Sequence, residues 1–106
     1  MAITAEDLPA DVDENEAFVS LLEVKKTPGE LVAFVHVYAG AEEVAEYGAN
    51  FWNVSTSKAK NIVVTAGADA MITLYGIKTG AQRGVKAYAK VNGVAIYSEK
   101  TAEYTF

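Results

Sequence analysis

Gly84-Val85-Lys86-Ala87-Tyr88-Ala89-Lys90-Val91-Asn92-Gly93-Val94-Ala95-Ile96-Tyr97-Ser98-Glu99 alternates apolar and polar side chains on either side of Asn92-Gly93. Asn-Gly between two alternating runs is the strongest short-range signal for a two-residue β-hairpin, because both turn positions need positive φ and these residues accept it at least cost. Such a loop dictates a register: Val91 opposite Val94, Ala89 opposite Ile96, Tyr88 opposite Tyr97 and Lys86 opposite Glu99. The first two pairs, with Val85 and Ala87, then face a core. Tyr88–Tyr97 and Lys86–Glu99 share the outer face, each pair contributing ~0.2–1 kcal/mol. Further on the parity fails, since Ser98, Lys100, Tyr104 and Phe106 fall on the inward side. A bulge or bend is therefore expected near residues 99–101.

The rest of the chain reads in the same period. Residues 18–24 form a first strand, and Lys25-Lys26-Thr27-Pro28-Gly29 a turn. Residues 31–39 form a second strand, with Leu31, Ala33, Val35 and Val37 on one face and Val32, Phe34, His36 and Tyr38 on the other. Residues 40–46 have the one helix-friendly composition, too short for more than a single turn. Strands follow over 47–54, 62–66 and 71–77, separated by the polar link 55–60 and the turn Gly67-Ala68-Asp69. With the closing hairpin this makes about seven strands with turn signals every ~8–12 residues, the pattern of an antiparallel β-sandwich.

A chain of 106 residues holds one domain, and 51% apolar residues suffice for a real interior. Residues 1–15 carry Pro9 and few apolar positions, so they read as an extended acidic arm, and 16–106 as the domain. The absence of cysteine excludes disulfides, thiol nucleophiles and cysteine-ligated zinc. A net charge of −5 argues against a nucleic-acid partner. No run approaches the ~20 apolar residues of a membrane span, so no membrane insertion is expected, and the start lacks the pattern of a signal peptide. The charge is divided: residues 6–16 hold six acids and no base, whereas residues 78–100 hold Lys78, Arg83, Lys86, Lys90 and Lys100 against Glu99 alone. Such a division favours head-to-tail association of copies.

Several segments resemble fibronectin type III-like and immunoglobulin-like domains of bacteria and their phages. Val85-Lys86-Ala87-Tyr88-Ala89-Lys90-Val91-Asn92-Gly93 with Ile96-Tyr97-Ser98-Glu99 resembles their last two strands. Glu46-Tyr47-Gly48-Ala49-Asn50-Phe51-Trp52 resembles their third strand, and Leu74-Tyr75-Gly76-Ile77-Lys78-Thr79-Gly80 their approach to the sixth. Arg83 stands where the tyrosine of the tyrosine corner commonly sits. The resemblance implies an all-β, single immunoglobulin/fibronectin III-like sandwich acting as a spacer, adhesion module or assembly unit, and it carries no site residues with it.

The chemistry-bearing residues yield no enzyme. His36 is the sole histidine, at an alternating strand position, and reads as a sheet-face residue. Asp11-Val12-Asp13-Glu14-Asn15 opens like an EF-hand loop but has Glu16 where glycine is needed and Leu22 at the twelfth position. Glu42, Glu43 and Glu46 read as a solvated turn. Trp52 reads as the buried aromatic plug of a third strand. Tyr88 and Tyr97, flanked by Lys86 and Lys90, are the candidate exposed contact residues, with Asp11 and Asp13 on the arm. The expectation is a non-catalytic structural protein without cofactor, catalytic or metal site, in an extracellular assembly on a virion (capsid decoration or tail accessory) or a bacterial cell surface. Its partner would be protein, by self-association or within a larger assembly. The alternatives are a spacer or adhesion domain of a secreted surface protein and a carbohydrate-binding module with a glycan ligand.

Overall fold

A computed structural model describes residues 16–64, 67 and 69–106, so the acidic arm, including Asp11 and Asp13, lies outside the described residues. Those residues form seven strands and no helix: β1 (Phe18–Thr27), β2 (Glu30–Tyr38), β3 (Val44–Asn53), β4 (Ala59–Val64), β5 (Asp69–Leu74), β6 (Gln82–Val91) and β7 (Val94–Thr105). They build two antiparallel sheets, β1-β2-β5 and β4-β3-β6-β7, packed as a β-sandwich.

The period-2 pattern of each strand sets its inner face. Leu31, Ala33, Val35 and Val37 of β2 are buried, as are Val19 and Leu21 of β1 and Ile72 of β5. Opposite them lie Tyr47, Ala49 and Phe51 of β3 and Val85, Ala87, Ala89 and Val91 of β6. Burial on this scale is the main stabilising term of a small sandwich. Residues 40–46 make a turn, with the Glu42 N–H donating to the Ala39 carbonyl at 3.0 Å, and β3 begins within them.

The closing hairpin keeps its expected register at the tip, where Val91 pairs with Val94, Ala89 with Ile96 and Tyr88 with Tyr97. Asn92 and Gly93 both take positive φ, as the turn demands. Lys86, however, pairs with Thr101 rather than Glu99. The four steps from Tyr97 to Thr101 on β7 span the two steps from Tyr88 to Lys86 on β6, so the expected bulge is present, over residues 98–100. Ser98 is the reason it is stable. Its buried hydroxyl accepts a hydrogen bond from the Ala87 N–H at 3.0 Å and donates to the Lys100 carbonyl at 2.8 Å, replacing the missing ladder partner. A second correction concerns Val94, which is exposed although its partner Val91 is buried. It stands at the tip of an edge strand, over an open groove lined by Glu16, Ala17, Glu42 and Asn92.

Candidate functional site: the outer face of the four-stranded sheet

Register places four rows of side chains on the outer face of β4-β3-β6-β7. Val63, Gly48, Tyr88 and Tyr97 form one row, and Asn61, Asn50, Lys86 and Thr101 the next. Ala59, Trp52, Gly84 and Glu103 form the third, and the Glu46–Lys90 pair extends the pattern toward the hairpin tip.

Two glycines shape this surface. At Gly84 a Cβ would stand 2.1 Å from the Trp52 ring, so the indole occupies the space of the missing side chain. At Gly48 a Cβ would stand 3.3 Å from Tyr88 Cε1 and 1.9 Å from the Ile62 carbonyl oxygen. On neighbouring strands, then, each glycine receives the aromatic ring of its cross-strand partner. The far end of each ring is tied down: Trp52 Nε1–H donates to Glu103 Oε2 at 3.2 Å, and the Tyr88 hydroxyl donates to Glu46 Oε2 at 3.0 Å. Lys86 rises between the rows, its Nζ 4.2 Å from the Tyr97 ring centroid and 5.7 Å from that of Trp52. Such cation–π pairs are worth ~0.5–1 kcal/mol at exposed sites. Beside them Asn50 Nδ2–H donates to Asn61 Oδ1 at 2.7 Å.

Of the residues singled out by sequence, Lys86 and Tyr97 meet here, and Tyr97 is 49% exposed. Lys90 is exposed on the same strand, opposite Glu46. Tyr88 departs from the expected exposed role: it is only 2% exposed and serves as a buried support. Burial, then the hydrogen bond and charge of Glu46, push its hydroxyl pKa up to about 12. Trp52 is the reverse correction. It is half-buried on the outer face, and Tyr47 and Phe51 are the core aromatics of β3. The signal was available in the parity of β3: with Tyr47, Ala49 and Phe51 inward, Trp52 must point outward.

His36 occupies the outer face of the other sheet, buried, with its Nδ1 2.5 Å from Asp69 Oδ1. Tyr47 sits at the adjacent end of the core, where burial and then the Asp69 charge raise its hydroxyl pKa. Among the described residues no three His, Cys, Asp or Glu side chains come together to hold a metal ion. What the outer face can do chemically is bind: it offers the flat ring of Trp52, the exposed ring of Tyr97 and a cation held between them. No protein-family model matches this sequence, and no curated protein matches it.

Proposed function

We propose that this chain is a non-catalytic interaction domain of an extracellular assembly, of the capsid-decoration or tail-accessory kind found on virions, and that it holds its partner protein through the Trp52–Lys86–Tyr97 face. The observation that carries the reading is the construction of that face. Two glycines and two anchoring hydrogen bonds, one exposed and one half-buried, fix rings on a solvent-facing sheet, where core packing has no use for them. Rigid aromatic anchors beside a cation are the side chains that dominate protein interfaces. The pairing of β4 with β3, giving sheets of three and four strands, supports the fibronectin type III-like side of the resemblance over the immunoglobulin constant-type order, in which the fourth strand joins the first sheet.

Comparative capture from the native source by wild-type chain and by Lys86→Ala and Tyr97→Ala variants tests this. Partners retained by the wild type and lost from both variants at unchanged Tm are expected; identical retention by all three removes the face. A carbohydrate reading rests on the flat Trp52 ring beside exposed Tyr97, since such rings stack on sugars. Retention on immobilised polysaccharide that Tyr97→Ala abolishes would make the partner a glycan, and the domain a binding module.

A further inference from the structure

Main-chain bonds gather the turns at one end of the sandwich: the Ile77 N–H donates to the Gly29 carbonyl and the Phe106 N–H to the Ala81 carbonyl, both at 2.9 Å. The residues of that end, 25–30, 53–60, 74–84 and 103–106, hold Lys25, Lys26, Lys58, Lys60, Lys78 and Arg83, with Glu30 and Glu103 as their acids. A chain of net charge −5 therefore has a cationic end. Its two carboxylates do not pair with the cations. Glu30 accepts from the Thr27 hydroxyl and Glu103 from the Trp52 indole, and among the described residues none of the six cations forms an ion pair. Unpaired charge of one sign selects a partner of the other.

Three of these cations share a cavity. Lys58, Lys60 and Arg83 line a space of about 180 Å³ with Phe51, Trp52 and Leu74. At ~30 Å³ per water that is the room of about six waters, enough for one side chain but not for a length of chain. Phe51 is a buried residue of β3 and Leu74 a half-buried one at the end of β5, so the cavity lies where the two sheets meet. A lysine on an edge strand repels added strands, which accounts for Lys60 on β4. It does not account for Arg83, which lies on β6 between β3 and β7, with no edge to protect. Arg83 stands where the resemblance places a corner tyrosine. Its Nη1–H donates to the Gln82 carbonyl at 2.9 Å, and the guanidinium has further donors in the planar fork that suits a carboxylate.

An occupant of this end must carry an apolar side chain for the cavity and more than one carboxylate, because Lys26 and Lys78 extend the cationic end beyond the cavity lining. A single small anion would meet the cavity and leave the other cations unpaired. We propose that this end binds an acidic peptide segment of the partner protein, with one apolar side chain in the Phe51–Leu74 cavity and carboxylates at Lys58, Lys60 and Arg83. The inference rests on reading the chain as an interaction domain and adds the chemistry of its partner. Trp52 lines the cavity and also belongs to the face with Lys86 and Tyr97, so one segment can lie across both.

Trp52 is the single tryptophan of the chain, so its emission reports on the cavity. The full chain is titrated at low salt, by emission and by calorimetry, with a short peptide of glutamates around one phenylalanine and with its glutamine counterpart. Saturable binding of the glutamate peptide is expected. It should weaken by roughly tenfold for the glutamine peptide and in Lys58→Gln/Lys60→Gln or Arg83→Gln chains, at unchanged circular dichroism. Lys100→Gln, which removes the same charge as Arg83→Gln from another place, should bind as the wild type does. No saturable signal by either method, equal binding of the glutamine peptide, or equal loss in Lys100→Gln overturns the proposal. So does a response to phosphatidylserine vesicles without one to the peptide. If the glutamate peptide fails while Lys86→Ala and Tyr97→Ala still lose the captured partner, this inference falls and the proposed function stands. If the peptide binds through Lys60 and Arg83 while those variants retain all that the wild type captures, the face falls and the acidic-segment site stands.

Discussion

Trp52 fills the place of the side chain that Gly84 lacks, with its ring 2.1 Å from where a Cβ would stand. The same relationship recurs two rows away between Tyr88 and Gly48. The two sites differ in what blocks them. Trp52 is a half-exposed side chain that can swing aside, whereas Gly48 is also closed by the Ile62 backbone carbonyl, which cannot move without breaking the β3–β4 ladder.

Gly48→Ala should therefore destabilise more than Gly84→Ala. Overpacking typically costs ~1–3 kcal/mol, and Gly48→Ala is expected at or beyond the top of that range. Gly84→Ala should fall near the bottom and red-shift the tryptophan emission as the ring enters solvent. Urea unfolding followed by fluorescence reports both.

Trp52→Ala and Phe51→Ala separate the two faces of β3. Phe51 is core, so its truncation should cost about 3–5 kcal/mol. Trp52 loses only partial burial and one exposed hydrogen bond, which predicts about 1–2 kcal/mol and a chain that still folds. Equal losses at the two positions would mean that the outer face is covered.

Stability should fall in alkali because of Tyr88. Its hydroxyl pKa is raised in the folded state to about 12, against 10.0 for an ordinary tyrosine. Above pH 10 the unfolded chain releases this proton and the folded chain keeps it, so the stabilisation, whole below pH 10, is lost as pH rises toward 12. A shift of this size corresponds to about 2–3 kcal/mol. Urea midpoints between pH 9 and pH 12 should drop more steeply in the wild type than in Tyr88→Phe, and an ultraviolet titration should lack one late-ionising tyrosine in that variant.

Ser98→Ala tests the bulge. It strands the buried Ala87 N–H, and an unsatisfied buried donor costs ~1–3 kcal/mol. Glu99→Ala, at the next residue of the same irregular stretch but exposed, should change Tm little.

Much of this architecture was legible from residues alone. Asn92-Gly93 dictates its own turn, and the alternation through Leu31–Val37 dictates which face is buried, because both follow from local backbone geometry. The site was less legible for reasons of non-local geometry. Tyr88 looks exposed until Gly48, forty residues earlier, is known to sit beneath it and Glu46 to take its hydroxyl. Trp52 was masked by the habit of this strand type to bury an aromatic, though its own parity opposed that. The pairing of His36 with Asp69 depends on the β2–β5 register, which no local pattern encodes.

The irregular stretch at Ser98 also divides β7 into two parts with separate register against β6. Residues 94–97 take their alignment from the Asn92-Gly93 turn, and residues 101–105 take theirs from Gln82 to Lys86. Between them Glu99 and Lys100 belong to neither ladder. Adding or removing a residue within most strands would turn every later side chain to the wrong face. Here the ladder with β6 is already offset by two residues, an even number that leaves the facing unchanged, and the two halves are joined by an exposed link, so this is where the closing strand can vary in length and still keep both ends of the sheet in alignment.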